Sequence, residues 1–323
     1  MIVACKNEER NIKNLITALE NQTYDKDYYE VILVDDDSID STAKTIKDCI
    51  YSLPNFFYLK TMPAYQREIG KKKAISTGVA ESRGEILAFT DADCLPAPDW
   101  LRDIDSAITD KVDFYAGYSE LLHPKKNLFS ALKNLERAAI FAVCAGSFGL
   151  NIPITCTARN IAYRKDIWLQ TKGYEGIGHI PSGDDDLMLL KSRNFIRSYF
   201  FSFCQTAKVD SIENNNFDQN LNQETRRASK LRHYPLYVKL LILFVAFYFC
   251  FLVYNIVFFN FDSYFFAGVG LKVALEFLLL SVFLGCVKRL KYLLVFPLIE
   301  LLYIPFFLFI GCKGTFGRYV WKS

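Results

Sequence analysis

The nine cysteines include no Cys-x-x-Cys pair, so the sequence carries no legible zinc site and no disulfide framework, as suits a reducing compartment. No Gly-x-Gly-x-x-Gly follows the first apolar run, which excludes the dinucleotide fingerprint, and no Gly-x-x-x-x-Gly-Lys-Ser/Thr loop is present to cradle phosphates. Charge of one sign is also scarce. A formal net charge of +3, from 38 basic and 35 acidic residues, is too small to indicate a nucleic-acid partner.

Apolar residues are abundant: 51% are hydrophobic and 15% aromatic, more than a soluble domain of 323 residues needs. The excess lies at one end, in Leu240–Phe259, Tyr264–Val287 and Tyr292–Cys312. Each approaches or exceeds the roughly 20 residues that span a bilayer. The first carries no charge. The second holds Lys272 and Glu276, four apart and able to pair on one helix face. The third holds Glu300, Pro297 and Pro305, so a simple span and a kinked or re-entrant segment both stay open. Lys230, Arg232 and Lys239 precede the first stretch, and Lys288, Arg289 and Lys291 follow the second. The positive-inside rule then predicts a multi-pass protein of the cytoplasmic (inner) membrane with residues 1–235 in the cytoplasm. Three full crossings leave Lys313, Arg318 and Lys322 outside; a re-entrant third segment returns them inside.

Residues 1–235 alternate between short apolar runs and amphipathic stretches. Met1–Cys5, Glu30–Val34, Phe56–Leu59 and Glu85–Phe89 read as strands. Asn11–Glu20 carries Ile12, Leu15, Ile16 and Leu19 at helical spacing, and Ser41–Ile50 and Ile69–Ala80 read as further helices. This alternation predicts an α/β fold, a mostly parallel sheet with crossover helices, followed by a helical membrane region from residue 236. Phe129–Leu150 reads as an amphipathic helix that lies on the membrane, lines a cleft or packs in the core. The first strand begins at Ile2 with almost nothing before it, which suggests that the natural start lies upstream.

Ligands of such sheets bind beyond the carboxyl ends of the strands. Three of those ends are polar and mostly acidic: Lys6-Asn7-Glu8, Asp35-Asp36-Asp37 and Asp91-Ala92-Asp93. Two carboxylates one residue apart at a buried strand end repel each other and lose hydration, and a divalent cation offsets both costs. Mg²⁺ is commonly held by one or two carboxylates plus substrate phosphates. A lone Asp-x-Asp is also common in solvated turns; several acidic ends in register point to a site for a nucleotide and a metal.

These pieces resemble glycosyltransferase family 2, the nucleotide-sugar transferases of GT-A type, in a membrane-anchored subgroup. Residues 4–9, Ala-Cys-Lys-Asn-Glu-Glu, resemble the first-strand signature Ala-Arg-Asn-Glu-Glu, and Asn21-Gln22-Thr23-Tyr24 resembles Asn-Gln-Thr-Tyr. Residues 34–42, Val-Asp-Asp-Asp-Ser-Ile-Asp-Ser-Thr, are similar to Val-Asp-Asp-Gly-Ser-x-Asp-x-Thr. Gly70-Lys71 with Ala74 matches Gly-Lys-x-x-Ala, and Thr90–Asp93 matches the metal motif. Ser182 to Leu187 resembles the acceptor-side Glu-Asp-x-x-Leu motif, and Gln223 to Lys230 resembles Gln-x-x-Arg-Trp-x-x-Lys. Ala158–Arg164 is similar to Gly-x-Asn-x-Ala-Tyr-Arg, with no chemistry assigned to it.

The resemblance implies that Glu8 and Asp36 contact the base and ribose, and that Lys71, or a neighbour in Lys71–Lys73, sits near the donor. Asp91 would touch the ribose or the metal's water shell, and Asp93 would ligate Mg²⁺ or Mn²⁺ across the diphosphate. Asp184 stands where the family places its general base, with Asp185 as the alternative. Gln223, Arg226 and Arg227 would close over the diphosphate. Arg227 replaces the usual Trp, which favours transfer of a single sugar over processive synthesis, and Gly183 stands where Glu is common. The implied donor is a nucleotide-diphospho-sugar, a UDP-sugar first. The implied acceptor is a lipid-linked glycan or polysaccharide, reached by an inverting displacement. Two other readings share the features: a non-catalytic nucleotide-sugar-binding membrane protein, and a sugar nucleotidyltransferase. The latter needs a basic triphosphate loop near the first strand, where only Lys6 stands.

Overall fold

The computed structural model describes residues 1–65, 67–123, 127–212, 221, 224–225 and 227–316. They group into two compact units, Met1–Pro124 with Val143–Glu213, and Lys125–Ala142 with Asn214–Ser323.

The first unit is built on a seven-stranded sheet. Strands β1 (Ile2–Cys5), β2 (Val31–Asp35), β3 (Phe56–Lys60) and β4 (Ile86–Phe89) come first. Strands β5 (Cys94–Pro96), β6 (Phe114–Gly117), β7 (Ser119–Leu122), β8 (Ile161–Arg164), β9 (Tyr199–Ser202) and β10 (Val209–Ile212) follow. The sheet order is β3-β2-β1-β4-β8-β6-β9, and β5-β10-β7 form a second, smaller sheet. Strands β1 to β4 are mutually parallel, whereas β8 runs antiparallel to both β4 and β6. The mostly parallel sheet with crossover helices expected from the β/α alternation is thus present, with the antiparallel β8 as a feature the alternation did not predict.

Helices α1 (Ile12–Glu20), α2 (Thr42–Ile50) and α3 (Lys71–Glu81) connect the parallel strands. The predicted stripe Ile12, Leu15, Ile16 and Leu19 is the buried face of α1. All five residues of β2 are buried, as a strand covered on both faces requires. Helix α3 packs close on the sheet at Gly78, where a Cβ would stand 2.6 Å from Ile2 Cγ2, so any larger residue there pushes helix and strand apart. Aromatic rings tie the antiparallel part together: Tyr163 on β8 stacks on Phe89 (5.1 Å between centroids) and on Phe114 (5.4 Å). Asp113, just before β6, accepts from the Arg197 backbone N–H (2.8 Å) and Nε (2.9 Å), with Arg164 Nε 3.4 Å away. Helices α4 (Trp100–Ala107), α5 (Leu128–Gly149), α6 (Lys165–Gln170) and α7 (Asp186–Ser192) complete the middle of the chain; α5 contributes residues to both units.

In the second unit, α8 (Leu236–Val257), α9 (Ser263–Cys286) and α10 (Phe296–Phe316) belong to three segments long and apolar enough to cross a membrane. Asp262 Oδ1 accepts from the Phe265 N–H (2.8 Å) and caps α9. The third hydrophobic stretch is a 3₁₀ segment, Leu290–Val295, followed by one helix that contains Pro305. Lys272 pairs with Glu276 (2.9 Å), as its spacing predicted, and also with Glu300 on α10. That second pair fastens α9 to α10 and compensates charges that are costly among apolar side chains.

Candidate active site

Because β1, β2 and β4 are parallel, their carboxyl ends face one edge of the sheet. β4 is offset, with Phe89 opposite Ile2, so the segment after Phe89 starts level with the foot of β1. The three acidic strand ends singled out in the sequence therefore point toward the same end of the sheet.

Their carboxylates have distinct neighbours. Asp35 is buried; its Oδ1 accepts from the Ser38 N–H (3.1 Å) and its Oδ2 from the Tyr58 hydroxyl (3.2 Å), which makes it part of the turn. Burial and the Asp35 charge push the Tyr58 hydroxyl up to about 12. Asp36 lies 3.5 Å from Lys6 Nζ. Glu8 accepts from Asn11 Nδ2 (2.8 Å), and its backbone N–H donates to Thr42 Oγ1 (2.8 Å), which places it at the start of α1.

The run Lys71–Lys73 divides its work. Lys71 Nζ pairs with Asp91 and stands 2.9 Å from Asp184 Oδ2, so one cation joins the metal motif to the downstream acidic triplet. Burial alone would lower the Lys71 pKa; Asp184 and Asp91 overcome it and hold the ammonium well above its ordinary value. Lys72 is buried and donates to the carbonyls of Ile177 (2.7 Å), Ile180 (3.0 Å) and Ser182 (2.9 Å), with the Tyr174 ring 5.5 Å away. Lys73 lies 3.8 Å from the exposed Asp37.

The loop held by Lys72 delivers the acidic triplet, and each of its members has a different position. Gly183 has φ +82°, and a Cβ there would meet Leu187 Cδ1 at 2.5 Å, which is why Glu is not accommodated at this point of the chain. Asp184 faces Lys71, and its carbonyl accepts from the Tyr174 hydroxyl (3.0 Å). Asp185 accepts from the backbone N–H groups of Asp186 (2.7 Å) and Ala158 (3.1 Å), as the cap of α7. Asp186 is buried and accepts from the Leu187 N–H (2.8 Å).

Asp91, Asp93 and Cys94 each offer a ligand-type atom, all within 4.8 Å of one another. Burial, then the Asp91 charge, raises the Asp93 carboxyl, and the nearby Arg159 and Lys71 charges oppose this without cancelling it. Burial and the two carboxylates push the Cys94 thiol well above its ordinary value, and its Sγ lies 3.5 Å from Asp93 Oδ1 as a donor. The two hard carboxylates of this group fit a divalent cation such as Mg²⁺ or Mn²⁺.

Arg159 is the residue to which sequence reasoning gave no role. It is buried, lies 3.8 Å from Asp91 Oδ2, and its Nε and Nη1 have no hydrogen-bond partner among the described residues. Thr90 Oγ1 donates to the Arg159 carbonyl (2.9 Å), and Asn160 is locked by Trp100 Nε1 (2.7 Å) and by its bond to the Tyr118 carbonyl (3.1 Å). A buried guanidinium with unmet donors beside a metal motif is suited to an anion. The signal available in the sequence was its place in Ala158-Arg159-Asn160, four residues ahead of the pairing partner of Leu87. Gln223 and Arg226 lie outside the described residues. Arg227 belongs to the second unit, with Nη1 2.7 Å from Glu224 Oε1.

The family model described as "Glycosyl transferase family 2" matches residues 1–120. Residues 1–120 thus resemble glycosyltransferase family 2, and the chain has a GT-A-type fold. It is 28% identical over 190 residues to glycosyltransferase AglE of Haloferax volcanii, covering 57% of this chain and 58% of that protein. It is 25% identical over 178 residues to the probable glycosyltransferase YdaM of Bacillus subtilis, covering 54% of this chain and 42% of that protein. The matches thus span about half the length of these curated relatives. Among solved structures, the mannosyltransferase PcManGT of Pyrobaculum calidifontis, in complex with GDP-Man and Mn²⁺, superposes with a TM-score of 0.57 at 17% identity, covering 93% of this chain and 86% of that one. S. aureus TarS 1–349, in complex with UDP-GlcNAc, gives 0.52 at 16% identity, covering 98% and 92%. At these identities the likeness is one of fold.

Proposed function

We propose that the protein is a membrane-anchored, metal-dependent, inverting glycosyltransferase. It moves one sugar from a nucleotide-diphospho-sugar, a UDP-sugar first, to a lipid-linked or polysaccharide acceptor. In this reading residues 1–235 form the cytoplasmic catalytic domain and residues 236–323 a multi-pass region in the cytoplasmic membrane. The observation that carries it is Lys71, whose ammonium joins Asp91 of the metal motif to Asp184 of the acceptor-side triplet. Donor-side and acceptor-side carboxylates are thereby within one side chain of each other.

Glu8 and Asp36, at the ends of β1 and β2, would hold the base and ribose. Asp93 and Asp91 would hold Mg²⁺ or Mn²⁺, which when bound neutralises charge on the nucleoside diphosphate. Arg159 and Lys71 supply protein cations beside the same carboxylates, suited to the departing diphosphate. Asp184 takes the proton of the acceptor hydroxyl as its oxygen bonds to the anomeric carbon and the bond from that carbon to the diphosphate oxygen breaks. Asp185 is committed to two backbone N–H groups, which favours Asp184 as the base. Gln223, Arg226 and Arg227 are proposed to close over the diphosphate. Lys6 is engaged with Asp36, which argues against the triphosphate loop a nucleotidyltransferase needs.

The test is nucleoside-diphosphate release by purified protein with Mn²⁺, a panel of UDP- and GDP-sugars and a membrane-lipid extract. Turnover with one donor, lost in both Asp93→Ala and Asp184→Ala, supports the assignment. Turnover surviving both substitutions overturns it.

A further inference from the structure

The two carboxylates of the metal motif differ in what holds them. Lys71 Nζ pairs with Asp91 Oδ1, and Arg159 Nε lies 3.8 Å from Asp91 Oδ2, so each oxygen of Asp91 faces a protein cation. Asp93 faces the Cys94 thiol, 3.5 Å from its Oδ1, and among the described residues no ion pair reaches it. A divalent cation shared by Asp91 and Asp93 therefore meets one carboxylate without an ion pair and one that is already paired.

The two cations on Asp91 are not equally able to leave it. The Arg159 side chain is 11% exposed, and the backbone around it is held by Thr90, which donates to its carbonyl, and by the locked Asn160. The Lys71 side chain is 25% exposed and has a second carboxylate at hand, Asp184 Oδ2 at 2.9 Å. An ammonium on a flexible four-carbon stem can drop one partner and keep the other. Charge balance sets the direction of that exchange. Lys71 and Arg159 stand among three carboxylates, Asp91, Asp93 and Asp184, an excess of one negative charge. A divalent cation added by itself turns the excess into a positive surplus at a partly buried site, where like charges repel strongly. A diphosphate that arrives with the metal restores the balance and offers the ammonium an anion to pass to.

We propose that Lys71 and the divalent cation are alternative partners of Asp91, so that the metal takes this carboxylate only as the ammonium passes to Asp184 and to the diphosphate of the donor. This rests on the donor and metal reading argued above and deepens it. Lys71 makes metal and nucleotide bind together, rather than the metal first.

The test is Mn²⁺ binding to the full-length protein in detergent, read from the paramagnetic resonance of unbound Mn²⁺ with and without UDP. Without UDP, Lys71→Met should bind Mn²⁺ about tenfold tighter than wild type, within the range for directly coupled residues. Asp184→Asn should weaken Mn²⁺ binding severalfold in the wild-type background and leave it unchanged in the Lys71→Met background, because the effect passes through the ammonium. With UDP present, Asp184→Asn should change little, since the diphosphate then receives Lys71. A further arm needs no substitution: acetylation of wild-type Lys71 by acetic anhydride, read by mass spectrometry, should speed up when Mn²⁺ is added and slow again when UDP follows. Lys71→Met that binds Mn²⁺ no tighter than wild type overturns the proposal. So does an equal effect of Asp184→Asn in both backgrounds, which charge acting through space alone would give, and so does acetylation indifferent to Mn²⁺. Wild-type protein that binds no Mn²⁺ even with UDP strikes at the metal reading itself, and the proposal falls with it.

Discussion

Lys71 Nζ stands 2.9 Å from Asp184 Oδ2, and the same ammonium pairs with Asp91, 93 positions earlier than Asp184 in the chain. A single cation thus couples a strand end of the donor half to the loop that precedes α7. Neither partner is near the other in sequence, and nothing but the fold brings them together.

Asp184→Asn should lower kcat by about 10² to 10⁴, the usual contribution of a positioned base, with little change in UDP–Mn²⁺ affinity. Asp185→Asn should keep most of kcat, because an amide oxygen still accepts from Ala158 and Asp186. Steady-state kinetics of the two variants side by side check the distinction; an inverted ranking would move the base to Asp185.

Arg159→Ala should raise the donor KM by roughly 10- to 100-fold, the loss of one charge-assisted hydrogen bond of about 1.5–3 kcal/mol. Arg159→Lys should recover little of it, since an ammonium lacks the planar fork. Circular dichroism verifies the fold, and donor titrations read the effect.

Lys72→Met removes the donor shared by the carbonyls of Ile177, Ile180 and Ser182. We expect a stability loss of about 1–3 kcal/mol from buried acceptors left unpaired. Hydrogen exchange of residues 177–187 should speed up, and kcat should fall while UDP–Mn²⁺ affinity holds. Unchanged exchange in that loop would show that Lys72 does not position Asp184.

Asp113 provides a pH-dependent test of stability. Burial raises its carboxyl, but the hydrogen bonds from Arg197 and the charges of Arg197 and Arg164 outweigh burial and hold it below its ordinary value. A depressed folded-state pKa stabilises the fold above the unfolded value of about 3.9, and that contribution disappears as pH falls through the folded value. Asp113→Asn should therefore cost about 1–3 kcal/mol at pH 7, since the Arg197 partner is largely exposed, and progressively less below about pH 4. Thermal unfolding of both proteins across pH 3–8 measures the convergence.

The parallel strands, the stripe of α1 and the three membrane-length segments were legible because periodicity and apolar length are local properties. The acidic strand ends were legible as positions for the same reason, since a run such as Glu85–Phe89 followed by Asp91-Ala92-Asp93 marks a strand end in the sequence. The helix at 71–81 was expected two residues early, since the turn at Gly70, with φ +58°, delays its start. The antiparallel β8 could not be read, because strand direction depends on which strands pair, and Ile161–Arg164 pairs with residues some 75 positions earlier.

The sequence by itself determined the fold class, the membrane-length helices and which carboxylates are available for a metal and a proton. Only the tertiary structure decided how they are used. It divided three adjacent lysines among Asp91 with Asp184, a loop of carbonyls, and Asp37. It separated Asp184 from Asp185 by the partners of each, and it revealed Arg159 as a buried cation with unmet donors. The physical reason is that charge pairing and desolvation depend on distance in space, and sequence neighbours can point to different places while residues a hundred apart share one bond.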